Sequence, residues 1–329
     1  MLRNLSIILG LALSLSVQAT TLKIATLVPD GTSWMKAMRA AGEEIKTRTE
    51  GRVKLRFYPG GVMGNDKSVL RKIRVGQLHG SVLTAGGMAI LYPDVQIYSF
   101  PFMFRSYEEV DYVRTRMDQT LIDGLGKRGF VSFGLSEAGF VYLMSQNPIS
   151  SVEELSKNKV WTPEGDRLAR IGLQAMGVSP IPLPITDVLT GLQTGLIDTI
   201  GASCVAAIAL QWHTRIKYLT DSPVFYLYGS LVFKKRSLQK LSPSDLQILA
   251  EVMTGTMKDL NQKSRLDNQN ARQALLKQGI QLVIPDAEEI SQWHATVARA
   301  VAEMKRQESF SENLLQQSER LISEFRRRN

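Results

Sequence analysis

Few residues in this chain are placed to make or break bonds. The three histidines, His79, His213 and His294, are scattered, and none has a second metal-type ligand at helical spacing. Cys204 is the lone cysteine, in the apolar run ASCVAAIAL, where a thiol reads as a small buried hydrophobe. A catalytic thiol needs a partner base, and only His213 is near it in sequence. One G-x-G-x-x-G runs from Gly124 to Gly129, but it closes a helical stretch and leads into a strand. A dinucleotide site needs the opposite order, so these glycines are read as helix terminators. The phosphate-loop pattern, H-E-x-x-H and G-x-S-x-G are absent. No nucleophile, metal set or cofactor can be named, and catalysis is not expected.

What remains is recognition chemistry. KNKVWTPEGD, residues 157–166, reads as a short strand, a tight turn and a helix start. Lys159, Val160 and Trp161 are extended, Pro163 blocks continuation of the strand, and Gly165-Asp166 opens the helix. Trp161 thus stands at a strand-to-helix mouth, where open α/β folds place ligand contacts. By the same logic Trp34 follows the first strand-to-helix loop, Gly86 and Gly87 end the third strand, and Phe225 to Tyr228 lie in an extended run. Pro29 and Asp30 shape the first loop, with Asp30 or Thr32 near a helix cap. Glu137 is a candidate lone anion that would prefer a cationic or hydroxylated group.

Strands and helices that alternate must position these residues. TLKIATL is a strand and GTSWMKAMRAAGEEIKTRT a helix, ended by Gly51. RVKLRFYPGG alternates, with Val53, Leu55 and Phe57 on one face. NDKSVLRKIRVGQLHG carries Val69, Leu70, Ile73 and Leu78 at helical spacing behind an Asn65 or Asp66 cap, and SVLTAG follows as a strand. This order implies parallel β with crossover helices. FVSFGLSEAGFVYLMSQNPI reads as two extended runs around Ser136 to Gly139, followed by a helix from about Asp166 to Met176. A helix at TDVLTGLQTG and the strand LIDTIGA come next. From Pro243 to about Gly279 one helical stretch would reach roughly 50 Å, long enough to lie across two domains. The strand IQLVI and two amphipathic helices close the chain.

A length of 329 residues is more than one core usually supports, so two domains are expected. The net charge of +9 is spread along the chain, without zinc-finger spacing, an aromatic-basic stripe or a recognition-helix pattern, so nucleic acid is not an expected partner. Arg3, the run LSIILGLALSLSV and Val17-Gln18-Ala19 form a secretory signal cleaved after Ala19, which implies an exported, periplasmic protein.

The order of motifs resembles the solute-binding proteins of TRAP (tripartite ATP-independent periplasmic) transporters, the DctP family. LKIATLVPDGTSWMKAM, GRVKLRFYPGGVMGNDKSVLRKIRVGQLHG, YPDVQIYSFPFMFRSYEE, AMGVSPIPLPITDVLTGLQTGLIDTI and VFKKRSLQKLSPSDLQ carry the match. The resemblance implies a two-domain periplasmic-binding-protein fold, α/β, with hinge strands and a long domain-spanning helix. It divides the chain into a signal peptide, 1–19, a first domain of 20–138 plus about 228–262, and a second of 139–227 plus about 263–329. It implies closure on a small molecule in the interdomain cleft and delivery to the permease subunits of a membrane transporter.

The family's polar anchors are missing. An arginine usually follows the lysine-aliphatic pair of the KNKV strand, where this chain has Trp161. A second arginine usually follows the glycine-phenylalanine ending at Phe140, where this chain has Val141. An asparagine usually stands a few residues beyond the GLID block, at the position matched by Ala202. A bidentate guanidinium is the strong way to hold a buried carboxylate. With Trp161, Val141 and Ala202 instead, an apolar or amphipathic ligand is expected, contacted also by Trp34, Phe140, Gly86, Phe225 and Tyr228. The combination resembles a branch that works with a periplasmic tetratricopeptide-repeat protein. The competing readings are an organic acid held by a non-standard anchor, an exported enzyme with an unrecognised site, and a receptor or scaffold uncoupled from transport.

Overall fold

The computed structural model describes residues 19–307 and 309–328, so the signal peptide expected at 1–19 lies outside the described residues except for Ala19. The first half opens with β1 (Thr20–Ala25), α1 (Ser33–Arg48), β2 (Val53–Tyr58), α2 (Asp66–Arg74), β3 (Gly80–Thr84) and the short α3 (Ala85–Ala89). Strand β1 pairs in parallel with β2 from Thr20 opposite Val53 to Ala25 opposite Tyr58, and with β3 at Ile24 opposite Gly80. Helix α1 begins where the Thr32 hydroxyl accepts the Met35 N–H at 3.2 Å, and it buries Met35, Met38, Ala41 and Ile45 at helical spacing. Helix α4 (Tyr107–Lys127) and β4 (Phe130–Ser132) complete this half.

The second half contains α5 (Val152–Ser156), β6 (Trp161–Pro163), α6 (Arg167–Ala175), β7 (Ile181–Leu183), α7 (Val188–Thr194), β8 (Thr199–Ala202), α8 (Cys204–Ala209) and β9 (Tyr218–Thr220). Two ten-residue strands, β5 (Ser136–Ser145) and β10 (Phe225–Lys234), join the halves. Strand β10 pairs antiparallel with β3 through Gly229 to Phe233 and with β5 through Phe225 to Gly229. Strand β5 then continues to pair β8 and β9. With β11 (Gln281–Val283) at one end, they form a nine-stranded mixed sheet in the order β11-β9-β5-β10-β3-β1-β2 with β4 and β8 branching. Ser136 to Gly139, expected between two extended runs, instead lie inside β5 as a bulge. Leu227 faces Gly139 and Tyr228 faces Glu137, which leaves Ala138 extra. Gly139 takes φ +97° there, and a side chain on it would meet the Asn268 amide at 2.6 Å.

After the short α9 (Lys235–Leu238), the single long helix α10 (Pro243–Lys277) runs roughly 50 Å. Its start is set by Ser242, whose hydroxyl accepts the Asp245 N–H at 3.1 Å, with proline in the first turn. Leu249, Val252, Met253, Met257 and Leu260 pack with Ile24, Met38 and Phe233 of the first half. Ala271 and Leu275 pack with Met144, Ile200 and Leu219 of the second. This helix therefore spans both domains. Helix α11 (Ala287–Gln307) covers α5 and α6, but α12 (Glu312–Arg328) returns to the first half. Its Phe325 ring lies 5.5 Å from Tyr112, and Arg326 pairs with Glu109 at 2.6 Å. The segment 263–329, expected to stay in the second domain, thus divides between the two halves, because the apolar face of α12 is buried on α4. No described helix is long and apolar enough to cross a membrane.

Pro163 is the last residue of β6, as expected, opposite Leu183 in a two-stranded parallel pair. Other boundaries shift by a few residues. The Gly124–Gly129 pattern straddles the end of α4. Gly124 and Gly126 are helical, and Gly129 terminates the turn at φ +83°. Gly86 and Gly87 belong to α3, one turn beyond the strand end where the sequence places them.

Candidate functional site

The C-terminal ends of parallel strands form a crevice, because the loops there diverge toward helices on opposite faces. Here such ends come from both halves and face one another. The turn after β2 meets the turn after β7, so that a side chain on Gly61 would lie 2.8 Å from Thr186. Gly86 in α3 faces Asp166 at the start of α6, so closely that a methyl group on this glycine would lie 3.1 Å from Oδ2. Asn65 donates to Glu164 at 2.8 Å, and Gln96 donates to Asp166 at 3.2 Å. The cleft is closed in this structure.

The expected contact residues divide into groups. Trp161, 6% exposed, donates its indole N–H to the Leu183 carbonyl at 3.0 Å and meets Trp212 edge-on at 5.3 Å. Ala202, 2% exposed, shares that cluster with Val188 and Ile200. Val141, 3% exposed, is in a different cluster with Leu143, Leu173 and Trp293. Strand alternation explains the split: Val141 and Leu143 take one face of β5, and Met144 packs with Trp161 on the other. Half-buried Phe225 packs with the Val141 group. Phe140 lies 4.8 Å from Tyr107 and 5.8 Å from Tyr226, and Tyr228 stacks on Tyr226 at 5.9 Å and donates to the Val95 carbonyl. Trp34 donates to Ser136 at 3.1 Å, on the first-half side of the hinge. The structure thus joins Trp161 with Ala202 and separates both from Val141, and the indole's one donor is already satisfied.

Glu137 is not a lone anion. Its fully buried carboxylate accepts from Arg265 Nε and a terminal nitrogen, each at 2.9 Å, and from the Tyr226 hydroxyl at 2.8 Å. Arg114 approaches it to 3.9 Å while also holding Asp118 at 2.8 Å. Arg265 additionally grips Asp111 at 2.6 Å and lies 4.4 Å over the Tyr107 ring. Burial, and secondarily Glu137, push the Tyr107 hydroxyl well above the usual range. Asn261 and Asn268 of α10 pin the adjoining backbone, accepting from Glu137 N–H at 2.7 Å and donating to Ala138 O at 3.0 Å. This is a hinge knot, formed where β5, β10, α4 and α10 cross.

At the closed lips, carboxylates dominate instead. Asp66 accepts from the Thr84 hydroxyl at 2.6 Å and its N–H at 3.3 Å, and burial with Asp166 nearby pushes it up to about 6. Asp166 accepts the Ala169 N–H at 3.1 Å as the cap of α6, and burial raises it as well. In sequence both aspartates stand at helix starts and Gln96 lies in the YPDVQIYS motif; only the approach of the halves brings Gln96 to Asp166. Buried Cys204 has its thiol pushed up to about 11 by burial, so it stays protonated at neutral pH. Among the described residues no three His, Cys, Asp or Glu side chains converge as a metal site.

Comparison with known proteins fits this geometry. The profile of "Bacterial extracellular solute-binding protein, family 7" matches residues 24–308. The sialic acid-binding periplasmic protein SiaP of Vibrio cholerae is 21% identical over 287 residues, 85% of this chain and 88% of that protein. Two solved structures share the fold. A TRAP periplasmic solute-binding protein of Xanthobacter autotrophicus with bound β-D-galacturonate superposes with TM-score 0.84 at 18% identity, covering 92% of this chain and 99% of that one. One of Sulfurospirillum deleyianum with bound succinate gives TM-score 0.84 at 19% identity, with coverages of 92% and 99%.

Proposed function

Because this chain belongs to family 7 of the bacterial extracellular solute-binding proteins, we propose that it is the periplasmic receptor of a TRAP-type transporter and captures an apolar or amphipathic small molecule between its halves. The observation that carries the ligand class is the side-chain set at the matched anchor positions. Trp161, Val141 and Ala202 are all buried and uncharged, so no guanidinium is available from them. The two arginines at the hinge, Arg114 and Arg265, are committed to Glu137, Asp118 and Asp111. The charges at the lips, Asp66 and Asp166, are carboxylates, which disfavour an enclosed anion. An acid bound here without a cation would lose several kcal/mol of desolvation, whereas apolar area returns about 25 cal/mol per Å².

A second reading rests on the solved relatives, whose ligands include galacturonate and succinate. In it, an organic acid is held by an anchor outside the three matched positions. Mass spectrometry of ligand released from the purified protein, with a thermal-shift screen of fatty acids, aromatic compounds, succinate and uronates, separates the two. The apolar reading requires a released compound with a substantial hydrophobic body. Stabilisation by succinate or galacturonate at micromolar affinity overturns it. The proposal further includes export with cleavage after Ala19, permease subunits as partners, and a periplasmic tetratricopeptide-repeat protein as an accessory. N-terminal sequencing of exported protein and co-purification from its native membrane test these.

A further inference from the structure

We propose that the free edge of β11 is a homodimer interface, where a second copy of this chain adds its own β11 antiparallel across a two-fold axis at Val283. The nine-stranded sheet ends in β11 on one side and in β2 on the other. An edge strand presents unpaired N–H and C=O groups, and proteins ordinarily guard such edges with charge. Strand β2 is guarded, since its exposed positions are Lys54 and Arg56. Strand β11 is not. Leu282 is 36% exposed and Ile284, just beyond the strand, is 74% exposed. No charged residue occurs from Gly279 to Pro285.

The register with β9 fixes which backbone groups face outward. Gln281 donates its N–H to the Lys217 carbonyl at 2.8 Å, and the Val283 carbonyl accepts the Asp221 N–H at 2.8 Å. These two residues therefore serve the inner neighbour, with Leu282 opposite Leu219 between them. Leu282 and Ile284 turn their N–H and C=O groups to the open side. In an antiparallel ladder, residues that face outward must pair with residues that face outward. That rule sets Leu282 opposite Ile284 of the second copy and Val283 opposite itself. Leu282 and Ile284 are two positions apart and share a face, so two apolar side chains from each copy cover one another.

The charges around the strand choose a second copy as the occupant. Exposed Lys217 lies beside the start of β11 and exposed Lys277 precedes it, whereas exposed Asp286 and Glu288 follow its end. A two-fold antiparallel pairing carries the basic start of one strand to the acidic end of the other, at both ends of the ladder. The same short segment thus supplies its own apolar and electrostatic complement. The contact is small, so the dimer is a weak one. Strand β11 stands at the opposite end of the sheet from β1 and β2, and pairing there joins second halves. The interface does not depend on the ligand class proposed above.

Sedimentation equilibrium of the chain from Thr20 onward, from about 1 μM to about 1 mM, should show reversible monomer–dimer exchange. Ile284→Lys should weaken it about a hundredfold, tenfold for each copy of the residue. Its melting temperature should not change, because position 284 is exposed. In a Cys204→Ala background, Val283→Cys should cross-link to a second copy under mild oxidation. Facing Cα atoms of a non-hydrogen-bonded pair lie about 4.5 Å apart, within disulfide reach. Leu266→Cys, exposed on α10, should stay monomeric under the same treatment. A monomer at every concentration, a dimer that Ile284→Lys leaves intact, or cross-linking no faster at position 283 than at 266 overturns the interface.

Discussion

The hinge knot and the anchor wall lie four residues apart on β5 and treat polarity in opposite ways. At Glu137 a fully buried carboxylate is surrounded by Arg265, Arg114 and Tyr226, so its charge is matched on every side. At Val141, and across the sheet at Trp161 and Ala202, burial is achieved without any charge. The difference shows where this chain can tolerate ions inside it. The crossing of four elements brings enough donors together to offset desolvation, whereas the neighbourhood of Trp161 and Ala202 adds to its apolar surface only neutral groups such as the buried hydroxyls of Thr162, Thr199 and Ser203. Arg114 and Arg265 are therefore structural here.

The largest expected effect breaks the charged side of this comparison. Glu137→Ala leaves two arginines without their shared partner and should cost about 3–5 kcal/mol. Urea denaturation followed by tryptophan fluorescence measures it; a loss within about 0.5 kcal/mol, the size of an ordinary surface change, would mean that the knot is dispensable. Trp161→Arg attacks the apolar side by forcing a guanidinium against Trp212 and Ile200, and should destabilise by about 3 kcal/mol. If that variant instead keeps its melting temperature and gains succinate binding in a thermal-shift assay, position 161 opens to the cleft. The smallest change is a control outside both regions. Ser151→Ala removes one side of the capping box with Glu154 at the start of α5, for about 1 kcal/mol, and should leave ligand binding unaltered.

Much of the architecture was legible because it rests on local rules. Alternation marked β2, the pairs Asp30 or Thr32 and Asn65 or Asp66 marked helix starts that the structure gives to Thr32 and Asn65, and a proline-free stretch after Pro243 marked α10. The misreadings share a cause in distant partners. Ser136 to Gly139 looks like a break between extended runs until β10 pairs on both sides of Ala138. Glu137 looks isolated because Arg265 stands 128 residues away. Asp166 reads only as a helix start because its partners across the cleft, Gly86 and Gln96, belong to the other half.

Sequence alone determined which elements form and that Trp161, Val141 and Ala202 carry no charge, since both depend on residue type and short-range spacing. Tertiary structure decided that Trp161 spends its indole N–H on Leu183, that Val141 turns to the other face of β5, and that Asp166 of the second half meets Gly86 and Gln96 of the first. Those outcomes depend on which surfaces the two halves bring together, and no window of neighbouring residues contains that information.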